Sequence, residues 1–167
     1  MKITICGSTA FINEMAEVAK ELESLGHEVK FPPLTVINED GREWHTRDYY
    51  DLKKQMVSKK PLTSPLTPLY ELERGTVQDD FFWLNHTERI KNHFNKVEWA
   101  EAILVTNYPK NDIEHYIGPN TLMEMGLAFH LDKKIFLLHP IPEVAWKEEI
   151  LGMRPVAINN NLALIKV

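Results

Sequence analysis

Gly118-Pro119-Asn120-Thr121-Leu122-Met123-Glu124-Met125-Gly126-Leu127-Ala128 is the stretch on which the reading of this chain turns. It follows a continuous apolar strand over 102–107 and a polar loop over 108–118, and it opens a helix. Pro119 suits the entry because it lacks an N–H that a first helical turn leaves unused. Asn120 or Thr121 can cap that turn with a short polar side chain. This spacing predicts Glu124 in the first turn, facing the strand ends, where the helix dipole favours its charged form. A carboxylate at the C-terminal edge of a parallel sheet is where α/β proteins carry out chemistry. A plain first-turn acid would leave the same trace in the sequence.

Working outward, the N-terminal run Lys2-Ile3-Thr4-Ile5-Cys6 is β-branched and reads as a first strand. Gly7 permits a tight turn, and Ser8 or Thr9 can cap the helix that follows. Ile12, Met15, Ala16, Ala19, Leu22 and Leu25 recur at helical spacing, and Gly26 stops that helix. A second strand over 27–31 completes a βαβ unit. Pro32-Pro33 then ends the pattern.

Residues 34–80 are polar, mixed in charge and punctuated by Pro61, Pro65 and Pro68, with a short helix expected over 49–59 and no regular element over 59–68. A connection of this length is expected to be a lid or a mobile loop. A helix over 81–99, capped by Asp79 or Asp80, buries Ile90, Phe94 and Val97, and His93 falls on the same face. Beyond the Glu124 helix, strands are expected over 134–138 and 155–158, with a short helix over 143–151 between them. Residues 162–167 are expected to form a short strand or an interface segment. Strands alternating with helices imply a three-layer, Rossmann-like α/β fold. Its parallel sheet would have about five strands in the order 2-1-3-4-5, within a single domain over 1–167. The turns after the first and third strands would then meet at the topological switch point.

The chain has 167 residues, one cysteine and a net charge of −5. A dedicated nucleic-acid binder usually carries a basic face, so no polymer partner is expected. A lone Cys6 rules out a disulfide framework and fits a reducing, cytoplasmic setting. No apolar run approaches the roughly 20 residues of a membrane helix, so no membrane partner is expected. There is no GxGxxG, no Walker A loop and no HExxH, and Ser8 lacks a GxSxG context. Hence no cofactor and no metal are expected. What is left is a carboxylate near backbone N–H groups and small hydroxyls, a set suited to a sugar or a nucleotide.

Cys6-Gly7-Ser8 closing the first strand, Ala-Glu-Ala-Ile-Leu-Val over 100–105, and 118–128 with Glu124 together resemble the nucleoside 2-deoxyribosyltransferase superfamily. That superfamily includes the 2′-deoxynucleoside 5′-phosphate N-hydrolases. The likeness covers residues 1–31 and about 86–140. It implies a flavodoxin-like fold, cleavage of an N-glycosidic bond, Glu124 as the catalytic glutamate, and Gly7 and Ser8 at the sugar or 5′-phosphate. His93 stands where the family has an aspartate near the sugar, Glu101 where an aspartate usually opens strand three, and Phe11 is nearest to the family's orienting tyrosine. The resemblance also implies a nucleoside or nucleotide as small-molecule partner, and a homodimer or higher homo-oligomer.

In that chemistry the C1′–N bond breaks through an oxocarbenium-like transition state. An ionised Glu124 would stabilise C1′ or attack it. His93, titrating near neutrality, would serve as acid or sugar contact. Cys6, Gly118, Asn120 and Thr121 would shape the site, and Asn107 and Asn120 would recognise hydroxyls. Two alternatives compete with this reading. One is a nucleotide-binding module without turnover. The other is a lysine-decarboxylase-like phosphoribohydrolase, whose PGGxGTxxE motif the 118–124 stretch partly resembles.

Overall fold

The computed structural model describes residues 1–37, 41–51 and 77–166, with side chains from 84 onward in the last span. Its main sheet contains β1 (Lys2–Gly7), β2 (Glu28–Lys30), β5 (Ala102–Thr106), β6 (Lys134–Leu137) and β7 (Val156–Ala157). The order is β2-β1-β5-β6-β7, and every pairing is parallel. In terms of the main-sheet strands alone this is the expected 2-1-3-4-5. The two extra strands, β3 (Thr35–Ile37) and β4 (Glu43–His45), pair antiparallel as a separate hairpin.

The alternation along each strand builds two cores. Ile3, Ile5, Ala102, Leu104 and Phe136 face α1 (Ile12–Ser24), where they meet Ile12, Met15, Ala19 and Leu22. Cys6, Ile103, Val105, Ile135 and Leu137 face the other way. There they meet α2 (Val77–Trp99), α3 (Pro119–His130) and α4 (Lys147–Gly152) through Val97, Met125, Ala128 and Ile150. Strands covered on both faces read as unbroken apolar runs, which is why β5 is buried throughout. Gly26, at φ +88, takes the left-handed position that ends α1, and the His27 N–H bonds back to the Leu22 carbonyl.

Several boundaries differ from the sequence reading. α2 starts at Val77, so Asp79 and Asp80 lie inside it and do not cap it. Residues 46–51 are helical, earlier than the expected start at 49. The remainder of that expected helix, and the 59–68 segment, fall outside the described residues. The tail is not a strand. It forms a 3-10 turn, Leu162–Leu164, because Leu162 and Ile165 bury their side chains against the α1 core. No helix among the described residues is long and apolar enough to cross a membrane.

Candidate active site

A cavity of about 660 Å³ opens at the C-terminal ends of β1 and β5. Ligand pockets run from roughly 300 to 1,000 Å³. Its walls come from the turn after β1, the residues after β2, Val36, Thr46, Tyr49 and Tyr50, α2, the loop before α3, and the start of α3. The turn after β1 can approach β5 this closely because residue 7 is glycine. A Cβ there would lie 2.5 Å from Thr106 Oγ1 and 2.7 Å from Met15 Cε.

Glu124 and His93 form the inner end. They are 9 % and 8 % exposed, and His93 Nε2 lies 3.7 Å from Glu124 Oε1, beyond hydrogen-bond distance. His93 Nε2 and Glu124 Oε2 are buried with no hydrogen-bond partner. Behind them sits Cys6, fully buried. The placement of α2 is set by two bonds to the sheet region: Thr4 Oγ1 donates to the Lys96 carbonyl, and Lys96 Nζ donates to the Phe31 carbonyl, each at 2.7 Å.

Burial governs the electrostatics here. It pushes Glu124 up to about 8, with contact to the Cys6 thiol opposing the shift. It pushes His93 down to about 4, helped by the Lys96 ammonium. It also holds the Cys6 thiol well above its ordinary range, and Glu124 adds to that. Both expectations of charge are therefore corrected: at neutral pH Glu124 is mostly protonated, and His93 does not titrate near 7 in the free site. The start of α3 does little to offset that burial. α3 is capped by Gly118 with Pro119 in its first turn, and that turn contains no acid. Glu124 lies in the second turn, where the dipole has faded, and neither Asn120 nor Thr121 supplies a side-chain cap.

The outer end is cationic. Lys110 Nζ donates to Ser8 Oγ at 2.8 Å and to the Tyr50 hydroxyl at 2.6 Å. It lies 4.8 Å from the Tyr50 ring centroid and 5.7 Å from that of Tyr116. Lys110 is fixed by a tight turn in which Asn111 and Asp112 both take positive φ, with paired backbone bonds between Lys110 and Ile113. Arg89, also in the lining, packs over Tyr49, 4.1 Å from the ring centroid. Sequence reasoning overlooked Lys110, Tyr50 and Arg89. The Lys-Asn-Asp-Ile turn signature was the one available pointer.

Of the residues singled out from sequence, Gly7, Ser8, His93, Gly118, Asn120, Thr121 and Glu124 line this cavity. Cys6 lies behind it. Asn107 does not line it: its amide donates to the His139 and Pro140 carbonyls, and its Oδ1 accepts from the His139 N–H. Asn107 thus secures the connection after β6, with both amide N–H groups engaged there. Phe11 is also off the cavity, stacked at 5.2 Å on Tyr108. Glu101 accepts a bond from the Lys2 N–H at the opposite, N-terminal end of β1. Cys6, expected to lack any metal-ligating partner, has His93 and Glu124 as spatial neighbours: one donor atom from each of the three lies within 4.8 Å of the others.

No protein-family model matches this chain, and no curated protein matches it. Among solved structures it is similar to a 2-deoxyribosyltransferase from the psychrotolerant bacterium Bacillus psychrosaccharolyticus. The two share 20% sequence identity with a TM-score of 0.42, over 82% of this chain and 71% of that one. A likeness this distant carries no argument about activity, which rests on the site itself.

Proposed function

We propose that this chain cleaves or transfers the N-glycosidic bond of a (deoxy)nucleoside or nucleoside monophosphate, with Glu124 as nucleophile. The observation that carries the reading is the polarity of one cavity: an isolated carboxyl at its buried end and a cation with a hydroxyl at its outer end. A nucleotide has the matching polarity, with an electrophilic C1′ and a 5′-phosphate on the same sugar. Lys110 and Ser8 would hold the phosphate by charge-assisted hydrogen bonds, which favours the monophosphate over the free nucleoside. The motif resemblance at Cys6-Gly7-Ser8 and over 118–128 supports the same assignment.

In the reaction, Glu124 starts protonated and gives up that proton to the departing base, with neutral His93 Nε2 beside it at 3.7 Å. The carboxylate bonds to C1′ as the C1′–N bond breaks, and the proton released by Glu124 ends on the nitrogen of the leaving base. Water or a second base then displaces the carboxylate from C1′. Water gives a hydrolase and a base gives a transferase. The elevated Glu124 favours a second reading, a nucleotide-binding module without turnover, because the free site does not hold its nucleophile ionised at neutral pH. Screening purified protein against nucleosides and their 5′-monophosphates for free base decides between them. Base release from any of them supports catalysis, and saturable binding without release supports the module.

A homodimer or larger homo-oligomer belongs to the same proposal. Met123, Phe129 and Leu131, exposed on and just after α3, supply apolar surface for it. A monomer by light scattering at micromolar concentration would refute it.

A further inference from the structure

We infer that Cys6, His93 and Glu124 form a binding site for a divalent ion of borderline softness, with Zn²⁺ the ion that the donor set fits. Three elements supply the donors: the end of β1, the middle of α2 and the second turn of α3. One donor atom from each lies within 4.8 Å of the other two. A tetrahedral zinc ion bound by N, O and S at roughly 2.0–2.3 Å sets ligand-to-ligand edges of roughly 3.3–3.8 Å. The His93–Glu124 edge, at 3.7 Å, already meets this. The thiol needs an adjustment of about an ångström at most.

An independent observation points the same way. His93 Nε2 and Glu124 Oε2 are buried polar atoms with nothing to bond. Buried polar atoms are nearly always satisfied, so two orphaned atoms on neighbouring side chains call for an occupant. A thiolate and a carboxylate balance the double charge of the ion, and a neutral imidazole completes the set. Lys96 is the opposing charge in the neighbourhood, and its ammonium is directed to the Phe31 carbonyl. The fourth position would face the cavity, which His93 and Glu124 both line, and would accept water.

The inference rests on donor geometry and goes beyond the glycosidic reading. A bound ion would also hold the Glu124 carboxylate and withdraw it from C1′, so metal and nucleoside chemistry would compete for one group.

The test uses the full chain, stripped with a chelator and titrated with Co²⁺. A thiolate bound to cobalt gives a near-ultraviolet charge-transfer band, and Cys6 is the single cysteine of the sequence. The band therefore reports this site alone, whatever the surface histidines bind. The expected result is a band that saturates at one equivalent, disappears when Zn²⁺ is added, and is absent in Cys6→Ser. His93→Ala and Glu124→Gln should each weaken Co²⁺ binding about tenfold or more. Absence of the band in the wild-type chain overturns the proposal without any variant. So does a band that His93→Ala and Glu124→Gln leave unchanged in chains shown to be folded by circular dichroism. No substrate enters this experiment, so its failure leaves the glycosidic reading intact, and failure of base release leaves the metal site intact.

Discussion

His93 Nε2 faces Glu124 Oε1 across 3.7 Å in a pocket where burial works against the charge of both. The two groups consequently respond to pH in opposite senses. Glu124 is near 8 in the folded chain against an ordinary value of 4.5. The stability it contributes is complete below 4.5 and is lost as pH rises through about 8. His93 is near 4 against an ordinary 6.5, so its contribution is present above 6.5 and is lost as pH falls through about 4. Cys6, with its raised thiol, extends the alkaline loss, and the Lys96 ammonium acts on both Cys6 and His93. Urea melts of chelator-treated protein from pH 6.5 to 8.5 should show stability declining. In Glu124→Gln most of that decline should vanish, leaving the variant more stable than wild type at pH 8.5. An identical slope in both would mean that Glu124 is not buried as described.

The same substitution reads the chemistry separately. Gln keeps the shape of Glu124 and removes the atom that bonds to C1′. Substrate binding should survive, while single-turnover base release falls ~10³-fold or more, because the lost interaction is made mainly in the transition state. Equal rates in the two proteins would leave the binding module ahead.

Much of the sheet was legible because its signals are local. Ile3 and Ile5 alternate with Thr4 and Cys6, and Ile12, Met15, Ala19 and Leu22 repeat at helical spacing within one α1. The β3–β4 hairpin was not legible: each strand is three residues long and half exposed, so neither carries an apolar run. Glu124 was recognised as a site candidate but placed one turn early, since the cap is Gly118 and not a polar residue further on. Its charge state at neutral pH follows from burial, which local spacing does not reveal. The grouping of Cys6, His93 and Glu124 was expected only through the family resemblance, because no local spacing joins residues that the order β2-β1-β5 and the packing of α2 on α3 bring together. Asn107, expected at the site, instead bonds backbone groups beyond β6, which no local spacing reveals.

Asn107→Ala tests that correction. The change removes the bonds of a buried amide to half-buried His139 and exposed Pro140, where water can take up part of the loss, which costs about 0.5–1.5 kcal/mol. A urea melt should show that loss, while base release per folded molecule stays unchanged. A fall in rate with stability unaltered would return Asn107 to the site.

Lys110 offers the test of substrate class. Among the described residues its ammonium meets two hydroxyls and two aromatic rings and no carboxylate. Such a half-buried cation is free to pair with an arriving anion. Lys110→Met keeps the length of the stem between Tyr50 and Tyr116 and removes the charge. A hydrogen bond to a charged group contributes about 1.5–3 kcal/mol, so KM for a nucleoside 5′-monophosphate should rise about tenfold to a hundredfold. Kinetics on the corresponding free nucleoside supply the control, because that substrate has no phosphate to lose contact with. Its kcat/KM should remain within about twofold of wild type, and raising the ionic strength should erode the wild-type preference for the monophosphate. A structural role would look different. If Lys110 merely anchors Ser8 and Tyr50, both substrates should suffer equally, and a urea melt should show the variant destabilised. Equal losses on the two substrates would therefore remove the phosphate from the assignment and leave the cavity to a neutral nucleoside.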